Sequence, residues 1–472
     1  MISDYLAQCV VEAMSMPPTA EQAAAISMFG DFMSSRNGRV VMVMRGNAGT
    51  GKTTLAASIV RALAGLEQKM MLMAPTGRAA KVFALYSGYN AFTIHRTIYR
   101  QRIVGADVPL FTLGENKCAD TLFIVDEASM IANKGYDTTF GGGHLLDDLI
   151  QYVYSGDNCR LMLIGDTAQL PPVGEEESPA LMSEVLRAYY LDVYEADLHE
   201  VVRQSHGSGI LANATAVREI ITGNGIPRLP KIRFEGYDDI ANVRGDELIE
   251  QLATSYAKVG VDETTVVTRS NKRAVIYNRG IRGMVLGREE ELCRGDMLMA
   301  VKNNYYWTER QQSELPFIAN GDRLRVRTVR NVRELYGFRF ADLTIEMADY
   351  DNIELTVTAI LDSLLSEAPA LTEEQRTQLY NKVMEDYMHI PQKGKRMREM
   401  RNDPYYNALQ VKYAYAVTCH KAQGGQWEHV YVDQGYMTDD MLTNDYIHWL
   451  YTAFTRATKK LYLVNWPTTQ TA

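Results

Sequence analysis

Residues 44–55 read "MRGNAGTGKTTL", and the reading of this stretch decides the fold. It holds the pattern GxxxxGK[ST] as Gly46, Asn47, Ala48, Gly49, Thr50, Gly51, Lys52 and Thr53, with Thr54 following. The preceding "RVVMVM" has the unbroken apolar character of a buried strand, and "TTLAASIVRALAGL" after it has helical spacing. That context gives the pattern a mechanism. Glycines let the backbone wrap closely, so that several N–H groups point inward at phosphate oxygens. The N-terminus of the helix adds partial positive charge, Lys52 adds a full one, and the Thr53 hydroxyl can ligate Mg²⁺. A plain glycine-rich turn is the competing reading. The strand before and the helix after favour a loop shaped for a nucleoside triphosphate.

Triphosphate chemistry also needs a metal carboxylate and a group that polarises water. "TLFIVDEASM" supplies an apolar strand, Thr121 to Val125, that ends in Asp126 and Glu127. Asp126 at the strand tip is placed to hold Mg²⁺, and Glu127 to polarise the attacking water. The alternative is a strand that simply meets solvent at two acids. "CRLMLIGDTAQLPPV" is a third strand, running into Gly165, Asp166 and then Gln169. A glutamine there can bond a γ-phosphate or the water, although "GD" is also a common strand-to-turn ending.

Bulk properties bound the rest. At 472 residues the chain exceeds one ordinary core and suggests about three domains. Five scattered cysteines without a CxxC pair argue against a disulfide framework or zinc site and fit a reducing cytoplasm. "MISDYLAQCVVEAM" lacks the basic lead of a signal peptide, and no apolar run reaches the roughly 18 residues of a membrane span. A cytoplasmic location without membrane contact is therefore expected. The formal charge of −9 does not decide the partner, because binding depends on local fields rather than on the sum.

With these three segments in order, the chain resembles a superfamily 1 helicase, and further landmarks narrow the resemblance. "PPTAEQAAA" places Gln22 as in an adenine-reading Q motif. "MLMAPTGRAAKVF", with Pro75 and Thr76, and "AFTIHRTI", with His95, look like motifs Ia and Ib. "LHEVVRQS" offers Arg203 as the motif IV arginine, and "VVTRSNKRAVIYNRGIR" looks like the opening of a second motor domain. "YAYAVTCHKAQGGQW" matches motif V through Thr418, His420, Lys421, Gln423 and Gly424, and "LYTAFTRA" matches motif VI with Arg456. "PFIANGDRLRV" resembles the start of an SH3-like insert. The likeness runs from about residue 17 to 466, and its nearest look is to superfamily 1B, the 5′-to-3′ branch of RecD-like and phage Dda-type DNA helicases.

That resemblance implies an α/β fold. Two RecA-like P-loop motor domains, with parallel sheets flanked by helices, would carry a small 1B pin hairpin and an SH3-like 2B insertion. Domain 1A would take residues 1–96 and 120–197, the pin 97–119, domain 2A 198–315 and 409–472, and the insertion 316–408. The implied activity is ATP- and Mg²⁺-dependent translocation on single-stranded DNA with separation of duplex strands. Single-stranded DNA and single-strand/duplex junctions are the implied partners, with a single-strand-binding or nuclease protein as a further one. Lys52, Glu127, Gln169, Arg203 and Arg456 would be catalytic. Gln22, the loop Gly46 to Thr54, Gly424 and Gln426 would bind nucleotide, with Thr53 and Asp126 on the metal. Pro75, Thr76, His95, Phe111, Thr418, His420 and Lys421 would meet DNA. Many relatives carry Glu where Gln426 stands; Gln keeps an acceptor oxygen and loses the charge.

Some alternatives stay open. The motor could translocate without unwinding, as a free translocase or as a RecD-like subunit of a nuclease complex. A P-loop phosphotransferase or nucleotide switch is the rival from another class, and it would need neither "TCHKAQG" nor "TRA". Phe111 is either the strand-separating wedge of the pin or packing for the base of its own hairpin. The cluster Lys393, Lys395, Arg396, Arg398 and Arg401 is either a solvated loop or a contact to a strand backbone. The glycine-rich segment Asn133 to His144 has no assignment beyond a surface loop.

Overall fold

Short apolar runs rich in Val, Ile, Leu and Met form the strands, and their alternation distributes side chains to two covered faces. In the strand Val40–Gly46, Val41 and Val43 join one apolar cluster with Phe123, Leu149 and Leu161, while Met42 and Met44 join another with Phe29, Leu55 and Ile124. This is the signature of a parallel sheet sandwiched by helices. The computed structural model describes residues 2–102, 110–134, 143–201, 207–223, 229–315, 317–350, 352–438 and 441–472.

The first sheet has six parallel strands in the order Ala91–Thr93, Met70–Ala74, Leu122–Val125, Arg160–Gly165, Val40–Gly46 and Asp192–Leu198. The strand leading to the glycine-rich loop therefore lies beside the strand that ends at Gly165, and the strand that ends at Val125 follows next. Three strand tips with chemical residues are adjacent at one edge, where open α/β sheets gather ligands. A second parallel sheet has five strands, in the order Ala416–Thr418, Thr264–Thr268, Trp427–Asp433, Ala457–Val464 and Ile240–Val243. No helix among the described residues is long and apolar enough to cross a membrane, and the five cysteines are free thiols.

Tyr99–Arg102 pairs antiparallel with Leu110–Leu113, in a register that sets Gln101 opposite Phe111. The side chain of Phe111 and residues 103–109 lie outside the described residues, as does most of the glycine-rich segment, 135–142.

A closed barrel forms from Met297–Ala300, Arg323–Leu335, Phe338–Met347, Ile353–Ile360 and Leu409–Tyr413. Residues 316–408 supply only three of these strands, so the barrel reaches beyond the boundaries expected from sequence. The reason is closure: a barrel leaves no edge only when every strand has two neighbours. The chain on either side of the insertion supplies the other two. Between the last two barrel strands, the helices Glu373–Asp386 and Lys393–Arg401 pack Leu379, Val383 and Met400 against Phe338 and Phe340.

The junction of barrel and second sheet is pinned by one carboxylate. Asp296 is fully buried and accepts from Arg282 Nη2 at 2.9 Å, Arg288 Nη1 at 2.6 Å and the Tyr415 hydroxyl at 2.8 Å. Burial by itself raises its titration, but Arg282, the Cys293 amide and Tyr415 outweigh burial and hold the carboxyl below its ordinary range. A depressed folded value means that this stabilisation is fully present above the unfolded value of 3.8 and is lost as pH falls through the folded one. Asp296→Asn leaves two arginines unmatched and is expected to destabilise this half by about 3–5 kcal/mol. Urea unfolding followed by tryptophan fluorescence reads it directly, since all four tryptophans, 307, 427, 449 and 466, lie in the second half of the chain.

Candidate nucleotide site at the seam of two sheets

The loop after Val40–Gly46 turns through Gly49 and Gly51, with φ of 80° and 79°, the left-handed region open to glycine. Gly51 caps the helix Lys52–Gly65. A Cβ on Gly46 would stand 2.8 Å from Lys52 Cγ and 2.9 Å from Thr50 Oγ1, so the loop closes only with glycine there. Lys52 Nζ curls back to donate to the Gly46 carbonyl at 2.5 Å and the Asn47 carbonyl at 2.8 Å, and lies 3.7 Å from Asp166 Oδ2. Thr50 donates to the Asn47 carbonyl, 2.8 Å. Thr53 and Thr54 occupy the first turn of the helix.

Gln22 is buried, and both ends of its amide are engaged. Its Nε2 donates to the Thr50 carbonyl at 2.9 Å, and its Oε1 accepts from the Thr19 amide at 3.1 Å, as half of a capping box on the helix Ala20–Ser34. The structure therefore places this glutamine as a brace beneath the loop.

Beside the loop, Asp126 follows the strand Leu122–Val125 and accepts from the Glu127 amide at 2.8 Å. Burial and then the neighbouring Glu127 charge push Asp126 up to about 7, against the opposing pull of that amide and Lys52. Glu127 itself has a φ of 54°, a costly conformation for a residue with a side chain, held by the 3₁₀ turn Ala128–Met130 that it opens. Thr53 and Asp126 offer hard oxygen donors. No group of three His, Cys, Asp or Glu able to hold a metal exists among the described residues, so a divalent cation here would complete its shell from phosphate and water, as magnesium does.

The second sheet closes over this site with the helix Asn444–Phe454 and the turn after it. Tyr451 carries the contact: its hydroxyl accepts from the Ala48 amide at 2.8 Å and donates to Asp166 Oδ2 at 2.7 Å. Thr452 Oγ1 accepts from the Leu170 amide, 2.7 Å, and Gln423 Nε2 donates to the Leu170 carbonyl, 2.6 Å. Arg78 lies 4.3 Å from the Trp427 ring centre and donates to the Gln426 carbonyl. Gly424, with φ of 70°, brings the backbone so near that a Cβ would sit 2.9 Å from Ala79 Cβ and 3.0 Å from Thr76 Oγ1.

Arg456 is 2% exposed and faces the seam. Its Nη1 lies 3.8 Å from Glu127 Oε1, and the rest of its guanidinium is held by the carbonyls of Thr452 and Gly425 and by Thr455 Oγ1. Gln169 is buried nearby in sequence order, next to Ala168 and Leu170, and its Oε1 has no partner in the structure. Arg203 lies outside the described residues.

Behind the seam, Thr76, Thr418, His420 and Lys421 line one cleft of about 730 Å³. Arg269, Lys272 and Lys412 face the same space. Thr76 also caps the helix Gly77–Ser87, accepting from the Ala79 amide at 3.2 Å, and Pro75 precedes it in the turn from the strand Met70–Ala74. Burial and Lys412 push Lys421 down to about 8, and its ammonium donates to Asn320. His95 is not among them; it lines a separate cleft of about 420 Å³ with Arg96 and Arg100. Tyr451, Asp166 and Arg78 hold the seam but were not among the site residues read from the sequence. Asp166 carried a signal as the acid at the end of the third strand, and Arg78 one as part of the stretch "MLMAPTGRAAKVF"; Tyr451 carried none.

Known proteins resemble both halves of the chain. The model of an AAA domain matches residues 19–229, and that of a UvrD-like helicase C-terminal domain matches 413–464. The ATP-dependent DNA helicase dda of Enterobacteria phage T4 is 26% identical over 409 residues, covering 81% of this chain and 85% of that protein. This chain is a superfamily 1B helicase. The ATP-dependent RecD2 DNA helicase of Deinococcus radiodurans is 34% identical over 137 residues, 29% of the helicase described here and 17% of its own length. A solved Pif1 helicase from Bacteroides, in complex with ADP-AlF3 and ssDNA, aligns over 97% of this helicase and 94% of that chain, with 15% identity and a TM-score of 0.48.

Tyr451 and Asp166 should act as one unit. Tyr451→Phe and Asp166→Asn are each expected to lower stability by about 1–3 kcal/mol through a buried group left without its partner. The double variant should fall short of the sum by about 0.5–3 kcal/mol, and simple additivity in thermal or urea unfolding would refute the coupling.

Proposed function

We propose that this helicase hydrolyses ATP at the seam, moves 5′-to-3′ along single-stranded DNA and separates strands at single-strand/duplex junctions. The observation that carries the reading is Arg456: an arginine of the second sheet's lobe stands 3.8 Å from Glu127 at the mouth of a phosphate-shaped loop on the first. A nucleotide switch or phosphotransferase needs no such second lobe. The direction of travel follows from the branch to which the chain belongs, and five free thiols are in keeping with a cytoplasmic location.

In this scheme Lys52 leaves the Gly46 and Asn47 carbonyls and pairs with β- and γ-phosphate oxygens, while the loop amides and the helix N-terminus cradle the rest. Thr53 and Asp126 would hold Mg²⁺, which when bound would supply charge neutralisation to the phosphate oxygens. Glu127 accepts hydrogen from the attacking water as its oxygen bonds the γ-phosphorus and the bond to the β–γ bridging oxygen breaks. Gln169, with its unpartnered carbonyl oxygen, orients that water. Arg456, joined by Arg203, turns from Glu127 to the transferring phosphoryl group. Gly424 and Gln426 border the nucleotide, above the loop that Gln22 braces.

DNA lies in the 730 Å³ cleft, where Thr76, Thr418, His420 and Lys421 grip phosphates without reading bases. Pro75 shapes the turn that presents Thr76. His95, in its own cleft at the foot of the antiparallel pair, meets the strand further along, and Phe111 is assigned to the junction by the resemblance alone. Because Gly424 packs on Thr76, closure over nucleotide and closure over DNA are one movement.

Two substitutions test the scheme. Lys52→Ala is expected to abolish ATP hydrolysis while single-strand affinity stays within about threefold; turnover at the parental rate removes the nucleotide assignment. Arg456→Ala should leave nucleotide affinity nearly unchanged and slow single-strand-stimulated turnover by about 10³-fold or more. A parallel fall of affinity and turnover would make Arg456 a binding residue instead. Unwinding of a forked duplex by the purified chain separates a helicase from a translocase.

A further inference from the structure

The helix Lys393–Arg401, "KGKRMREMR", carries five cations and one acid on nine residues of a chain whose formal charge is −9. Helix stability does not account for this. Lys393 and Lys395 lie in the first turn, where the helix dipole disfavours cations, and the N-cap Gln392 makes no side-chain capping bond. Ion pairing does not account for it either. Among the described residues, no carboxylate comes within salt-bridge distance of Lys393, Lys395, Arg396 or Arg398.

Packing fixes which way the charges face. Met400 is buried against the barrel cluster, and Met397 Sδ accepts from the Tyr380 hydroxyl at 3.5 Å. At about 100° per residue these two methionines share one face. Lys395, Arg398 and the lone acid Glu399 then fall on the opposite, exposed side, with Arg396 and Arg401 on its two flanks. The helix is thus a rigid ridge, about 13 Å long at 1.5 Å per residue, with cations on both shoulders. Two rows of phosphates border a duplex groove roughly 12 Å wide, whereas a single strand offers one row. The exposed face also lacks any aromatic ring on which unpaired bases could stack, the feature that single-strand surfaces use.

Its position suits the same partner. The next residue, Asn402, accepts through its carbonyl from the Tyr306 hydroxyl at 2.9 Å, and Arg310 lies 5.5 Å from the Tyr306 ring centre. The short helix Tyr306–Arg310 contains Thr308 and Glu309, which line the 420 Å³ cleft together with His95, Arg96 and Arg100 at the foot of the antiparallel pair. The ridge is therefore joined by a packed path to the foot of the antiparallel pair.

We propose that the helix Lys393–Arg401 grips the phosphate backbone of duplex DNA ahead of the junction, as a surface separate from the single-strand cleft. The assignment rests on the helicase reading, so the experiment measures the two apart. The combined variant Lys395→Gln, Arg398→Gln is compared with the parent for affinity to a blunt duplex, a fork and oligo-dT across a salt series. The expected result is an affinity for duplex and fork lower by about tenfold, with the slope of log K against log salt reduced by about 2 for two lost phosphate contacts. Oligo-dT affinity should change by less than about twofold. A charge-preserving swap, Lys395→Arg with Arg398→Lys, should restore duplex binding. Unchanged duplex affinity overturns the proposal, as does an equal loss on oligo-dT, which would make the ridge a single-strand surface, or a loss that the swap fails to rescue. If the parent shows no oligo-dT-stimulated ATP hydrolysis, the helicase reading itself fails, and the duplex arm still reads the ridge.

Discussion

A buried carboxylate must be matched, and Asp166 is matched by groups from both halves of the molecule. It is 1% exposed, with the Tyr451 hydroxyl on one oxygen, the Ala168 amide on the other and the Lys52 ammonium at 3.7 Å. Leaving such a charge without partners costs several kcal/mol, so the position of one lobe is written into the comfort of a residue on the other. Were Lys52 to turn toward phosphate as proposed, the surroundings of Asp166 would change, and Tyr451 is the group that would feel it. The P-loop amide of Ala48 is tied to the same hydroxyl. In the proposed scheme, nucleotide occupancy and lobe position are linked through a single phenol.

Arg456 and Glu127 form a second link of a different kind. At 3.8 Å they are a loose pair, and the arginine's firmer bonds are to backbone carbonyls within its own lobe. The guanidinium is thus pre-oriented by its own lobe and held to the other only weakly. That is the arrangement a group needs if it is to exchange a carboxylate for a phosphoryl oxygen without being rebuilt.

Much of this was legible in the sequence because its signals are local. The loop Gly46 to Thr53 and the acids after Val125 declare themselves by strand, turn and helix patterns within a dozen residues. What escaped depends on distant pairing. "MLMA" at 297–300 reads equally well as a strand of either sheet or barrel, and only closure with Arg323–Leu335 and Leu409–Tyr413 places it. Tyr451 has the spacing of an ordinary core aromatic on its helix, and nothing nearby in the chain reveals that it meets Asp166. Gln22 illustrates the reverse: its presence near the loop was legible, but the capping box that occupies its amide emerges only from the fold of the helix Ala20–Ser34. His95 was grouped with Thr76 by motif order, and the structure sets the two in different clefts.

The barrel strand Leu409–Tyr413 and the sheet strand Ala416–Thr418 are separated by only Ala414 and Tyr415, and Tyr415 is fastened to Asp296. Two residues with one of them anchored leave little room for a swivel. A load borne by the barrel would pass almost undamped into Thr418, His420 and Lys421, so whatever the barrel pushes against would become a mechanical input to the proposed grip on the strand.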